Sequence, residues 1–283
     1  YLELAEALQK NGELTKAVPW YRAAVERNPK SAFSLQKLGT ALRRSQQHAE
    51  AAQLLERAAL IAPNDAVTWH ELGLAYRALG RTTDAVAAIA KALERDSDLP
   101  EARNNLGIIW FAGNDRERAE SAFREAIRIR PDYADAHGNL ANLLAAAGNT
   151  LEARGHFEIA LRLRPGDAAT RYNHAMLLGR TSHYDDAQRE LEAALRADPE
   201  FVDAHELLGD LLLARGQPRD AVTHYREVLR IRPESARAHL GLGAALSSAG
   251  DSSSAVPHLR KAAAGSDPAT RERANAILRQ LAK

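Results

Sequence analysis

Small and apolar residues return along this chain at two nested spacings, steps of three and four within short segments and a step of 34 from end to end. Ala17, Ala51, Ala85, Ala119, Ala153, Ala187, Ala221 and Ala255 keep the longer step without insertion or deletion. Ala24, Ala58, Ala92, Ala126, Ala160, Ala194 and Ala262 repeat it seven residues on, interrupted at Val228. Pro29, Pro63, Pro131, Pro165, Pro199 and Pro233 share the frame, with Ser97 on the missing beat. The short steps place residues on one face of a helix. A fixed long step means a stack of like supersecondary units, each burying its apolar face on its neighbours.

Counted from the third residue after each proline, the full repeats are 32–65, 66–99, 100–133, 134–167, 168–201, 202–235 and 236–269. A first repeat, 1–31, lacks its opening positions, so the chain reads as an excerpt of a longer one. Position 7 is Leu4, Leu38, Leu72, Leu106, Leu140, His174, Leu208 and Leu242; position 8 is always Ala or Gly; position 11 is large and apolar, from Leu8 and Leu42 through Tyr76 and Trp110 to Leu246. Positions 4, 7, 8 and 11 form the buried stripe of a first helix, A. Position 15 is Gly12, Gly80, Gly148, Gly216 or Gly250, with Gln46, Asn114 and Ser182 in the other repeats, and suits the left-handed residue that ends helix A. Thr82, Asp115, Asn149 and Asp251 follow as caps for a second helix, B. Helix B carries Ala at position 20, a large residue at 24 (Tyr21, Leu55, Ile89, Phe123, Phe157, Leu191, Tyr225, Leu259) and a small one at 27, and the proline at 32 stops it.

Trp69, Leu72, Gly73, Tyr76, Ala85, Ile89 and Ala92 reproduce the W-x2-L-G-x2-Y … A-x3-F … A pattern, and six other copies supply the proline. In these residues the chain resembles the tetratricopeptide repeat family over essentially its whole length. The resemblance implies an all-α, right-handed superhelical solenoid of antiparallel helix pairs, with eight repeats over 1–267 and a C-terminal capping helix over 268–283. Ala274, Ile277, Leu278 and Leu281 are expected on the inner side of that cap.

The resemblance also implies protein or peptide binding along the concave wall lined by helix A, at positions 2, 5, 6, 9, 12 and 13. The candidate contacts there are Lys37, Arg43 and Arg44; His70 and Arg77; Asn104, Asn105 and Phe111; Asn139 and Asn142; Tyr172, Asn173 and Met176; and Asp203, Glu206 and Asp210. Asn105, Asn139 and Asn173 all fall at position 6. A carboxamide offers two donors and an acceptor, which match one peptide unit regardless of its side chain. This is similar to the asparagine ladder in the repeats of O-linked N-acetylglucosamine transferases. The family's carboxylate clamp is not expected, because the sites it needs basic are Asp203 and Leu207. The strip turns from basic near Lys37 to acidic near Asp203, so a complementary segment is expected to lie with its acidic end toward the former.

Composition narrows the alternatives. The hydrophobic share is 45%, enough for a core, and 38 Lys and Arg balance 37 Asp and Glu. That balance gives no bulk attraction to nucleic acid. No apolar run is long enough to enter a membrane, and no signal-peptide pattern is present. The absence of cysteine fits cytoplasm and periplasm alike. His70-Glu71 and His205-Glu206 begin like H-E-x-x-H but meet Leu74 and Gly209 where the second His is needed, so no metal is expected. His137, His205 and His239 at position 4, and His156, His224 and His258 at position 23, are expected to pack rather than catalyse. His174, in a leucine slot, is expected to be a hydrogen-bonded core histidine. With no cofactor motif and no nucleophile beside a base, the expected function is a non-catalytic interaction scaffold within a longer chain. The alternative is the substrate-recognition segment of an enzyme such as an O-GlcNAc-transferase-like glycosyltransferase.

Overall fold

The computed structural model describes residues 1–282, and among them there are seventeen α-helices and no strands. They fall into two compact units, divided within one helix between Leu143 and Leu144. The first unit holds α1 (Leu2–Lys10), α2 (Leu14–Arg27), α3 (Ala32–Arg44), α4 (His48–Ile61), α5 (Ala66–Ala78), α6 (Thr82–Arg95), α7 (Pro100–Ala112), α8 (Arg116–Ile129) and the start of α9 (Ala134–Ala147). The second holds the end of α9, then α10 (Thr150–Leu163), α11 (Ala168–Arg180), α12 (Tyr184–Ala197), α13 (Val202–Ala214), α14 (Pro218–Ile231), α15 (Ala236–Ser248), α16 (Ser252–Ala263) and α17 (Pro268–Leu281). Odd-numbered helices up to α15 are helix A of the repeat, and even-numbered ones helix B.

Each A–B turn is built alike. Gly12, Gln46, Gly80, Asn114, Gly148, Ser182, Gly216 and Gly250 all have positive φ, between 62° and 88°. The next residue's N–H reaches back to the position-11 carbonyl, as in Gln47 to Leu42 at 2.9 Å and His183 to Leu178 at 2.9 Å. This is the Schellman closure, which satisfies a carbonyl the helix end would leave bare. Gln46 and Ser182 hold it without glycine's freedom, so the closure is imposed by the packed helices on either side. Asp115 and Asp251 cap helix B as expected, accepting from the N–H of Arg118 and Ser254. Two expected caps differ: Asn149 occupies the N-cap but its side chain accepts nothing, and Thr82 lies inside α6, whose N-cap is Arg81.

Where position 8 is glycine, the large residue at position 24 of the same repeat sits on it. A Cβ on Gly107 would stand 2.5 Å from the Phe123 ring, so the ring occupies the space that a missing side chain leaves. Position 4 closes the link between repeats. Trp69 Nε1 donates to the Pro63 carbonyl at 2.9 Å, and Arg103 to that of Ser97 at 3.0 Å. His137, Arg171, His205 and His239 do the same to Pro131, Pro165, Pro199 and Pro233 at 2.9–3.1 Å. In the second unit α17 lays Ala274 into the core, with Ile277, Leu278 and Leu281 packed around it.

Candidate functional site

The core stripe of each A helix leaves its opposite face open, and the sequence-predicted contact residues fall there except Asn104, which is buried. In the first unit the face is laced by hydrogen bonds between successive A helices. Asn105 Oδ1 accepts from Arg77 Nη1 at 3.3 Å. A guanidinium only donates, so this fixes the carboxamide and turns its Nδ2 toward His70 Nε2 at 3.1 Å and the Glu101 carbonyl at 2.8 Å. His70 Nε2 therefore accepts, and the imidazole proton is on Nδ1. Burial holds His70 below its ordinary value; Arg43 and Arg77 add to this, against the pull of Glu71 and Glu101.

One repeat on, Asn139 Nδ2 donates to Asn104 Oδ1 at 2.9 Å. Asn104 is itself buried, so it lies beneath the face and orients Asn139 instead of meeting a ligand. The pattern joins position 5 of one A helix to position 6 of the next, 35 residues on. Its sequence signal is the polar pairs His70/Asn105 and Asn104/Asn139. Asn142 makes no side-chain hydrogen bond among the described residues. Phe111 is partly exposed on the same face.

The basic residues differ from one another. Lys37 is paired with Glu6 at 2.8 Å, and Arg43 with Glu71 at 2.8 Å in a largely buried bridge. Arg44 is exposed and has no ion pair among the described residues. Arg77 has Asn105 as its partner and lacks a carboxylate; burial, then repulsion from Arg43, disfavours its charge.

In the second unit, Tyr172 tilts against Phe201 with ring centres 5.2 Å apart. Asn173 is half-buried and makes no side-chain hydrogen bond among the described residues, and Met176 is 39% exposed. Asp203, Glu206 and Asp210 line α13, but the acidic stretch is not bare. Arg232 approaches Asp203 at 3.5 Å, and Arg237 serves both Asp210 at 3.0 Å and Glu206 at 3.6 Å. Tyr225 donates to Asp210 at 2.6 Å from below. Burial, with the charges of Asp210 and Asp203, keeps the Glu206 carboxyl above its usual range despite Arg237. Arg237, at position 2 of the following repeat, is a functional neighbour that a repeat-by-repeat reading misses.

In repeats 202–235 and 236–269 the histidines at positions 4 and 23 meet each other. His205 and His224 are joined through Nδ1 at 3.0 Å, and His239 and His258 at 2.9 Å. Since His205 and His239 donate from Nε2 to carbonyls, their neutral Nδ1 accepts from the partner ring. His174 departs from expectation. It is buried and stacked on Phe157, with centroids 5.4 Å apart, but neither ring nitrogen has a hydrogen-bond partner. Its nearest charge is Glu190, 3.7 Å from Nδ1.

Seventeen helices in repeated antiparallel pairs, with one face packed and one left open, define an α-helical repeat protein. The tetratricopeptide repeat family model matches residues 2–66, 70–134, 111–168, 172–218 and 207–270, and the chain belongs to that family. A search of the curated proteins finds no match. Among solved structures, the chain is similar to Cut9–Hcn1 of the APC/C, with a TM-score of 0.74 and 20% identity over 86% of this chain and 48% of that one. It is also similar to Pseudomonas aeruginosa PilF, with a TM-score of 0.66 and 20% identity over 73% and 94%. Yeast Tom70 gives 0.61 and 16% over 95% and 59%. The chain thus spans about half the length of the Cut9–Hcn1 chain it resembles. At these identities the likeness is one of fold.

Proposed function

We propose that the chain is a non-catalytic interaction scaffold whose open A-helix face binds an extended segment of a partner protein. The observation that carries this reading is the bracing of Asn139. Its Nδ2 is held by buried Asn104, which leaves Oδ1 and the second amide hydrogen free at a fixed orientation. A carboxamide already immobilised loses little entropy on meeting a peptide unit. Asn142, on the same helix, adds an unengaged carboxamide. Arg44 and Arg77, which lack carboxylate partners, favour an acidic stretch on the first unit's face. In the second unit Asn173 offers the same peptide chemistry beside the acidic residues of α13.

Replacing Asn139 and Asn142 together by Ala is expected to weaken a bound peptide while the helical circular dichroism stays unchanged. Each lost hydrogen bond is worth roughly 0.5–1.5 kcal/mol. Isothermal titration of a partner-derived peptide measures it. Affinity that survives this double variant but is lost on substituting exposed B-helix residues would sink the reading.

A further inference from the structure

Positions 4 and 23 of a repeat vary together along this chain. Histidine stands at position 23 in the three repeats where position 4 is also histidine, as His156, His224 and His258, and in no other. Elsewhere the two positions hold other matched pairs, such as the stacked rings of Tyr1 and Trp20 or the ion pair of Arg171 and Glu190. The bond that position 4 makes to the preceding turn uses only Nε2 of His205, which donates to the Pro199 carbonyl at 3.1 Å. That leaves Nδ1 of His205 as a lone pair, 3.0 Å from Nδ1 of His224. A ligating histidine is commonly prepared in this way, with its far N–H tied to a carbonyl and its near nitrogen bare. Nitrogens 3.0 Å apart, each roughly 2.0–2.1 Å from an ion, subtend about 94° at it. That is near the right angle between neighbouring ligands of tetragonal copper(II) or nickel(II), both of which suit imidazole. His205 is buried, and His224 is partly exposed, so the pair can be reached from solvent on the α14 side.

Charge separates this pair from the similar one beside it. Glu192, Asp220 and Glu227 act on His224, and Glu227 acts on His205 as well. Glu227 is paired with Arg230 at 2.8 Å. Glu192 bonds to the neutral Gln188, and neither it nor Asp220, one turn before His224 on α14, has an ion pair among the described residues. His239 and His258 stand equally close, at 2.9 Å, but there Lys261 and Arg226 act against Glu234 alone. A cation is therefore favoured at the first pair and repelled at the second. We propose that His205 and His224 form a two-nitrogen site for a divalent ion of the copper(II) or nickel(II) kind, bridging α13 and α14. The ion takes both Nδ1 lone pairs. The proton that His224 holds on Nδ1 passes through solvent to Nε2, so both rings stay neutral. No group of three or more ligating side chains gathers among the described residues, so water fills the remaining positions. His205-Glu206 fails as H-E-x-x-H because α13 lacks the second histidine; here the second imidazole comes from the other helix of the repeat.

The test titrates copper(II) into the whole chain, above the pH range in which histidine is protonated and over excess glycine to strip weakly held ions. Binding is read by electron paramagnetic resonance with spin-echo envelope modulation, which counts coordinated imidazoles. The tightest-bound copper should carry the modulation of two rings. His224→Gln removes one ligand from a partly exposed position, and helical circular dichroism should stay unchanged. It should lower the affinity for that copper about tenfold or more, at least the cost of disturbing a ligand's supporting bond. His258→Gln should leave the affinity within about twofold, because the second pair is set among cations. Asp220→Asn should weaken binding less than His224→Gln, and its effect should shrink at high salt. Copper held without a two-imidazole signal, affinity untouched by His224→Gln, or equal losses in the two histidine variants would each overturn the site.

Discussion

Trp69, Arg103, His137, Arg171, His205 and His239 share neither charge nor shape, yet each donates to the carbonyl six residues before it. What position 4 selects is an N–H at the right reach, which ties helix A to the turn before it through a hydrogen bond worth roughly 0.5–1.5 kcal/mol. Hydropathy does not register that requirement, so Arg103 and Arg171 look out of place in the sequence and are not. Arg171 also binds Glu190 at 2.5 Å. His174 is the opposite case, a polar residue in a leucine slot whose ring nitrogens make no hydrogen bond of ordinary length and whose Nδ1 stands 3.7 Å from Glu190. Burial pushes Glu190 upward, but Arg171 and His174 more than offset it and hold the carboxyl below its usual range. With Arg171 retaining Glu190, His174→Leu is expected to leave the denaturant midpoint unchanged or raise it. A loss above about 1 kcal/mol would mean that His174 satisfies Glu190 in a way its 3.7 Å separation does not suggest.

Helix pairs are held by complementary size and, in the second unit, by paired rings. Position 8 against position 24 is a contact between two helices of one repeat, and the periodic sequence makes both partners visible. The histidine pairs join the same two helices at positions 4 and 23. Burial lowers His224, and His205 lowers it further against Glu192, Asp220 and Glu227. Burial lowers His258, with His239, Lys261 and Arg226 adding to it. His239 is lowered by burial and Lys261, against its bond to the Pro233 carbonyl and the charge of Glu234. A histidine depressed in the folded state takes up its proton more readily when unfolded. Its contribution is therefore complete above the ordinary histidine value of about 6.5, and it is lost as pH falls through the lower folded value. Urea denaturation should show the second unit weakening between pH 7.5 and 5. Replacing His224 and His258 by Phe should flatten that dependence; an unaltered slope would place the titration elsewhere.

In a stack of repeats each unit is stabilised by its neighbours, so local stability follows local burial. Helix α1 buries one residue, Ala5, whereas α3 buries six. Amide hydrogens of α1 should exchange faster than those of α3, and equal protection of the two helices would contradict this. The helices, their pairing and the left-handed corners were all legible in the sequence, because each is set by local spacing and repeated many times over; the contact of position 8 with position 24 came only from the packing. The family followed from the same residues. The open face was legible only as a set of positions. Which members are braced, paired or free depends on side chains 27 to 35 residues apart, such as Asn139 on Asn104, Arg43 on Glu71 and Arg237 on Asp210. No periodicity encodes those meetings, since they depend on how far one A helix stands from the next and which rotamers fit between them.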